Sequence, residues 1–249
     1  MRAISTVEAI KRGFTQIFRT SVEVTGRNAN SATYAGKDWE RKKARGKQEH
    51  LRSIDMYGFY GIKSSATDAT TGHLITTSAG LSSVIQSKTA IINEADLDFD
   101  LFVDIAKEAL QDGDGGYLNA GSRTKFLFCP MSFWARCDKT FHDKVWYKQE
   151  VEIPGIEIRG VKTSAGTLMF VYTPVLDDMA YVVNNITQYD VFIVDMNHVA
   201  LRYHAGRNTR LLADRQGPSE DTKCVEWFSD KGWQIENERA HMKLTLRQQ

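Results

Sequence analysis

The residues best suited to chemistry in this 249-residue chain are its carboxylates, six histidines and three cysteines, and none stands at a spacing that a known reaction centre needs. The run Asp112-Gly113-Asp114-Gly115-Gly116 resembles a calcium loop at first sight. An EF-hand loop counted from Asp112 requires an oxygen ligand at its fifth position and a glutamate at its twelfth; Gly116 and Arg123 stand there. The run therefore reads as a turn that ends a helix. The same glycines make no dinucleotide fingerprint, because Leu118 takes the place of the third glycine. His50, His73, His142, His198, His204 and His241 form no HExxH pair and no zinc spacing with cysteine. Cys129 ends an apolar run and Cys137 falls on the apolar side of a helical one, so both read as small core residues. No catalytic, cofactor-binding or metal-binding residue is expected.

The densest charge is basic. Arg41, Lys42 and Lys43 are followed by Arg45 and Lys47. This run could meet packaged nucleic acid or acidic neighbours, or could be a solvated helix face. Trp39 precedes it, but no aromatics interleave as a base-stacking platform requires. The whole chain carries a formal net charge of only +1, so no global field favours nucleic acid or a membrane surface. An odd cysteine count without CxxC spacing argues against a disulfide framework. No run approaches the ~18 apolar residues of a membrane span, and residues 1–14 lack the apolar stretch of a signal peptide.

Several elements must position these residues. Residues 15–25 alternate, with Phe18, Thr20, Val22 and Val24 on one face, which predicts a half-buried strand. A polar turn over 26–31 and a short segment through Tyr34 complete what reads as an extended arm. Residues 37–60 predict a long helix with Asp38 as N-cap, polar at first, then striped by Leu51, Ile54 and Tyr57. Gly46 could bend it. Residues 64–89 read as mostly irregular. A helix capped by Asn93 or Asp96 runs to about Gln111, burying Leu101, Phe102, Ile105, Ala109 and Leu110. A strand over 125–129, a helix starting at Pro130, a hairpin of 153–161 with 167–172, and strands over 189–195 and 199–203 follow. The end predicts a hairpin: 223–228 turning at Asp230-Lys231-Gly232 into 233–246, where Ala240, Met242, Leu244 and Leu246 share a face. Helices and strands mix without regular βαβ alternation, so the expected class is α+β.

Two segments carry a family pattern. The first is Gly13-Phe14-Thr15-Gln16-Ile17-Phe18-Arg19-Thr20-Ser21-Val22-Glu23-Val24-Thr25-Gly26 with the charged helix behind it. The second is Asp190-Val191-Phe192-Ile193-Val194-Asp195, then Val199-Ala200-Leu201, then Trp233-Gln234-Ile235-Glu236-Asn237-Glu238-Arg239-Ala240-His241. Together they resemble the major capsid proteins of tailed bacteriophages, typified by podophage capsids with the Hong Kong phage capsid fold, which encapsulins share. The resemblance implies a residual N-terminal segment over 1–14, an extended loop (E-loop) over 15–36, and a spine helix with peripheral domain over 37–117. It implies an axial domain over 118–178 and strands returning to the peripheral domain over 179–249. Phe18, Val22, Val24, Arg27, Asn28, Asn30 and Tyr34 would then contact a neighbouring subunit through the extended loop. Arg41, Lys42, Lys43, Arg45 and Lys47 would form a basic spine-helix face. The loop tip has no lysine, so the lysine–asparagine crosslink of some relatives is not carried over.

The function so implied is a structural, non-enzymatic subunit of an icosahedral shell of hexamers and pentamers around double-stranded DNA. Its location would be the virion, after synthesis in the host cytoplasm. Its partners would be its own copies, the DNA, and cement, scaffolding or portal proteins, with no membrane and no cofactor. The alternatives are an encapsulin-like compartment shell and a cytosolic α+β enzyme or nucleic-acid-binding protein.

Overall fold

The computed structural model describes residues 13–30, 38–111, 124–141, 159–163, 166–183 and 188–247. In chain order the elements are β1 (Gln16–Thr25), α1 (Gly26–Asn30), α2 (Asp38–Tyr60), β2 (Ser64–Thr67), β3 (Leu74–Thr77), α3 (Leu81–Val84), β4 (Thr89–Asn93), α4 (Phe99–Leu110), β5 (Thr124–Cys129), α5 (Met131–Phe141), β6 (Arg159–Thr163), β7 (Gly166–Tyr172), α6 (Pro174–Val183), β8 (Gln188–Val194), β9 (Val199–Tyr203), β10 (Arg210–Leu212), β11 (Thr222–Ile235) and β12 (Met242–Arg247). Helices and strands are mixed as the α+β reading requires.

The first sheet has β11 at its centre, paired antiparallel with β1 on one side and with β10 and β9 on the other. Strand β1 pairs along its whole length, from Gln16 opposite Lys231 to Thr25 opposite Thr222. Its alternation directs Phe18, Val22 and Val24 beneath α2, where all three are buried. The arm reading is thereby corrected. These apolar residues find their partners inside their own chain, because β11 offers ten residues of matching register. The expected polar turn after them is the short helix α1.

Helix α2 lies on this sheet along Gly46, His50, Ile54 and Gly58, a stripe with a period of four. The predicted stripe shares only Ile54 with it; Leu51 is 41% exposed. The two glycines allow the helix backbone to reach the sheet. A Cβ on Gly46 would lie 2.3 Å from Val22 Cγ2, and one on Gly58 would lie 2.7 Å from the indole of Trp233. Gly46 thus serves close approach.

The predicted C-terminal hairpin does not form. Strand β11 runs straight through Asp230, Lys231 and Gly232, since Lys231 pairs with both Gln16 and Tyr203, and Gly232 with Arg202. Ladders on both sides override a local turn signal. The chain turns later, at Asn237, whose φ of 46° is left-handed and suits asparagine. Strand β12 then joins the second sheet.

That sheet runs β4-β12-β8-β5-β7-β6. One face packs Leu127, Leu168, Phe170, Val191, Ile193, Leu244 and Leu246 against Phe102, Ile105, Ala106 and Ala109 of α4 and Phe133 of α5. The other packs Phe192 and Val194 against Phe59 of α2, Leu81 of α3 and Val175 and Leu176 of α6. Covered on both faces, β8 is buried from Tyr189 to Val194; its one charged residue, Asp190, pairs with Lys243 at 3.1 Å and accepts the Thr245 hydroxyl at 2.6 Å. The hairpin of β6 and β7 forms as expected over its described part, while residues 153–158 lie outside the described residues. The cap of α4 is Asp98, whose carboxylate accepts the Leu101 backbone N–H at 2.8 Å, in place of Asn93 or Asp96. The second sheet takes strands from 89–93 to 242–247, so the sheets cut across the consecutive segments expected for the axial and peripheral parts.

Residues 64–77, expected to be irregular, form the separate hairpin β2–β3. Its turn is held by Asp68, whose carboxylate accepts the Thr70 N–H at 2.9 Å and the Thr71 hydroxyl at 2.5 Å.

Candidate functional site

Four groups that could act as nucleophile or base are buried: His50, His241, Cys129 and Cys137. His50, fully buried, lies 2.7 Å from Ser229 Oγ through Nε2 and 3.1 Å from Thr20 Oγ1 through Nδ1. The Ser229 hydroxyl donates to Thr209 Oγ1 at 2.9 Å. The consistent assignment has His50 Nε2–H donating to Ser229 and Nδ1 accepting from Thr20. Ser229 has no proton to give the imidazole, and no substrate reaches either group. The pair is a structural link from helix to sheet. Burial, with Lys231 nearby, lowers the His50 pKa. Burial pushes the thiols of Cys129 and Cys137 up, away from the thiolate a nucleophile needs. Cys224 is raised too, by desolvation and then by Glu23, Glu226 and Glu220. Among the described residues no group of three or more His, Cys, Asp or Glu could hold a metal ion. No described helix is long and apolar enough to cross a membrane. Residues 112–116 lie outside the described residues.

His241 is the other buried histidine among the described residues. Its Nδ1 accepts the Asp195 backbone N–H at 3.3 Å and its Nε2–H donates to the Glu236 carbonyl at 3.0 Å. Burial holds it neutral, with a pKa lowered to about 4. Its folded pKa lies below the unfolded value of ~6.5. The stabilisation is therefore complete above pH ~6.5 and falls as pH drops toward 4, by roughly 3 kcal/mol in all. Urea unfolding of the wild type from pH 7 to 4 should show this loss, with a shallower slope in His241→Gln. Equal slopes would refute the assignment.

The basic helix face is partly paired within α2, five cations against the three carboxylates of Asp38, Glu40 and Glu49. Arg41 and Lys42 pair with Asp38 at 2.6 and 3.3 Å, Lys43 with Glu40 at 2.8 Å, and Arg45 with Glu49 at 3.1 Å. Lys47 sits over the Trp227 ring, 5.8 Å from its centroid. Two such cations on Asp38 hold its carboxyl below the usual range. This is the pattern of a solvated face built from i,i+3 and i,i+4 pairs.

Of the expected contact residues, Phe18, Val22 and Val24 are internal, while Arg27 and Asn28 are exposed on α1. Asn30 closes α1, and Tyr34 lies outside the described residues. Phe18, Val22 and Val24 therefore do not share a surface with Arg27 and Asn28.

Two surfaces were not legible in the pattern. One is the hairpin β2–β3, exposed at every residue of β2. Leu74 is 65% and Ile75 54% exposed; as successive strand residues they face opposite ways. Ile62 at its root is 74% exposed. It is tied to its own subunit by the Thr76 hydroxyl donating to the Thr15 carbonyl at 2.7 Å and the Ser78 N–H donating to Gln16 Oε1 at 3.3 Å. The other surface is arginine-rich and lies on the sheet face away from α2. There Arg19, Arg207 and Arg210 place their guanidinium carbons 5.6, 4.8 and 5.3 Å from the centre of the Phe228 ring.

The family model described as SU10 major capsid protein matches residues 3–247. No curated protein matches the sequence. Among solved structures, the chain is similar to Mycobacterium phage Ogopogo, with TM-score 0.60, 12% identity, and coverage of 100% of this chain and 83% of that one. It is similar to the capsid of Myoviridae Phage XM1 (TM-score 0.55, 15% identity, 93% and 73% covered). It is also similar to the holo-SrpI encapsulin complex from Synechococcus elongatus PCC 7942 (TM-score 0.57, 7% identity, 92% and 73% covered). At these identities the likeness is one of fold.

Proposed function

The chain belongs to the SU10 major capsid protein family and is a capsid shell subunit; we propose that its copies close into an icosahedral phage capsid of hexamers and pentamers around double-stranded DNA. The observation that carries this is the family match across residues 3–247. The sealed Ser–His contact and raised thiols support a subunit without an enzymatic role. Synthesis in the host cytoplasm and contacts with scaffolding, portal or cement proteins belong to the same proposal. The encapsulin-like shell shares the fold and differs in its contents.

In this reading the four-stranded sheet with α2 is the peripheral domain and the six-stranded sheet is the axial domain. The projecting contact is the hairpin β2–β3, with Arg27 and Asn28 as further exposed contact residues. An isolated two-stranded ribbon is marginal in water, and this one shows apolar side chains on both faces. In a shell a neighbouring copy covers them, at ~25 cal/mol per Å² of apolar surface removed from water. Replacing 64–77 by a short Gly-Ser turn should leave the circular dichroism melt within a few degrees of wild type while electron micrographs show no closed shells. Closed shells in normal yield would exclude the hairpin as the contact.

A further inference from the structure

We propose that the arginine-covered face of the four-stranded sheet docks onto the carboxylate-rich segment 94–104 of a neighbouring copy. This rests on the shell-subunit reading. In β11, Val225, Trp227 and Ser229 turn toward α2, so Glu226, Phe228 and Asp230 turn away. Phe228 is nevertheless only 3% exposed, because the guanidinium groups of Arg19, Arg207 and Arg210 lie around it. Arg19 and Arg215 share Glu226, at 3.4 and 3.6 Å, and Arg207 pairs with Asp230 at 2.9 Å. Both carboxylates are nearly covered, with side chains 11% exposed, whereas Arg19 and Arg215 are 62% and 51% exposed. Four guanidinium groups above two buried carboxylates leave a positive outer surface around Phe228, bordered near Cys224 by Glu23 and Glu220. The ring and the carboxylates hold these forks in place, the arrangement suited to bidentate recognition of carboxylates.

The complement is present on the same chain. Glu94, Asp96, Asp98, Asp100 and Asp104 fall within eleven residues that contain no lysine or arginine. Asp96, Asp98, Asp100 and Asp104 are exposed. Asp98 is engaged in capping α4, and the guanidinium of Arg136 donates to the Ala95 carbonyl beside them. A near-neutral chain with segregated positive and negative surfaces has the charge distribution of a heterologous, head-to-tail contact, which closes by rotation. A surface for DNA phosphates would need no acidic counterpart.

The test uses full-length protein in three forms: Arg210→Glu, Asp100→Lys/Asp104→Lys, and the combination. Arg210→Gln serves as the milder control should the reversal disturb folding, and circular dichroism monitors the subunit. Each reversal should lower the yield of closed shells at least tenfold, Arg210→Gln about threefold, and the combination should recover to within about threefold of wild type. Wild-type yield from either folded reversal, or a combination no better than the worse single, would overturn the proposal. So would normal shell closure with DNA retention alone reduced by Arg210→Glu, since that would assign the surface to nucleic acid. Absence of shells from the wild type would instead refute the shell reading itself.

Discussion

Lys125→Ala should cost the folded subunit about 3 kcal/mol, from buried carbonyls that lose a donor and from the cavity left by the stem. Lys125 is 2% exposed on β5. Its Nζ donates to the Ala109 carbonyl in the last turn of α4 and to the Ala240 carbonyl ahead of β12, both at 2.7 Å. It therefore satisfies a helix C-terminus that has run out of intrahelical donors and joins three parts of the second sheet's core. Alanine would leave both carbonyls without this donor and a cavity where the methylene stem lay. Lys125→Met fills most of the stem's volume and should lose only about 2 kcal/mol, the share due to unmet carbonyls. Urea unfolding of the soluble subunit measures both. A loss below 1 kcal/mol for the alanine variant would show that water or another side chain replaces the amino group.

Gly58→Val should destabilise by about 3 kcal/mol despite replacing a helical glycine. Exposed helix positions gain up to ~1 kcal/mol when glycine is replaced by alanine. Here the new atoms meet Trp233 Cε2 and Nε1 at 2.7 Å and Cζ2 at 2.9 Å. That ring is rigid and its N–H donates to the Ile54 carbonyl at 3.3 Å, so α2 itself must move off the sheet, the usual cost of overpacking. Gly58→Ala should lose less, and Trp233→Phe, which lacks the pyrrole edge, should recover part of that loss. A favourable coupling above 0.5 kcal/mol in this double-mutant cycle is the expected result. Strict additivity would mean that the ring is not what excludes the side chain.

The elements whose signals are local were legible. The alternation of β1, the length of α2, the Pro130 start of α5 and the shared face of Ala240, Met242, Leu244 and Leu246 all appear as read. What was not legible depends on distant partners. Asp230-Lys231-Gly232 looks like a turn until β1 and β9 are laid beside it. Phe18, Val22 and Val24 look like an arm's anchors because alternation gives the buried face and not the chain that buries it. Gly46 read as a place where α2 could bend, yet its spacing of twelve from Gly58, with His50 and Ile54 between at intervals of four, was a visible sign of a face held against the sheet. Helix α6 went unread. The arginine surface was hidden because its members come from β1 and from the stretch 207–215, brought together only on β11.

The proposed role, a subunit that builds a DNA-filled shell, is directly measurable. The direct measurement is electron microscopy of native particles combined with nuclease protection of their contents. Closed icosahedral particles of this chain holding nuclease-resistant double-stranded DNA are the predicted result. A strictly monomeric protein by light scattering, with no particles, would contradict the shell, and closed particles holding protein cargo without DNA would contradict the capsid.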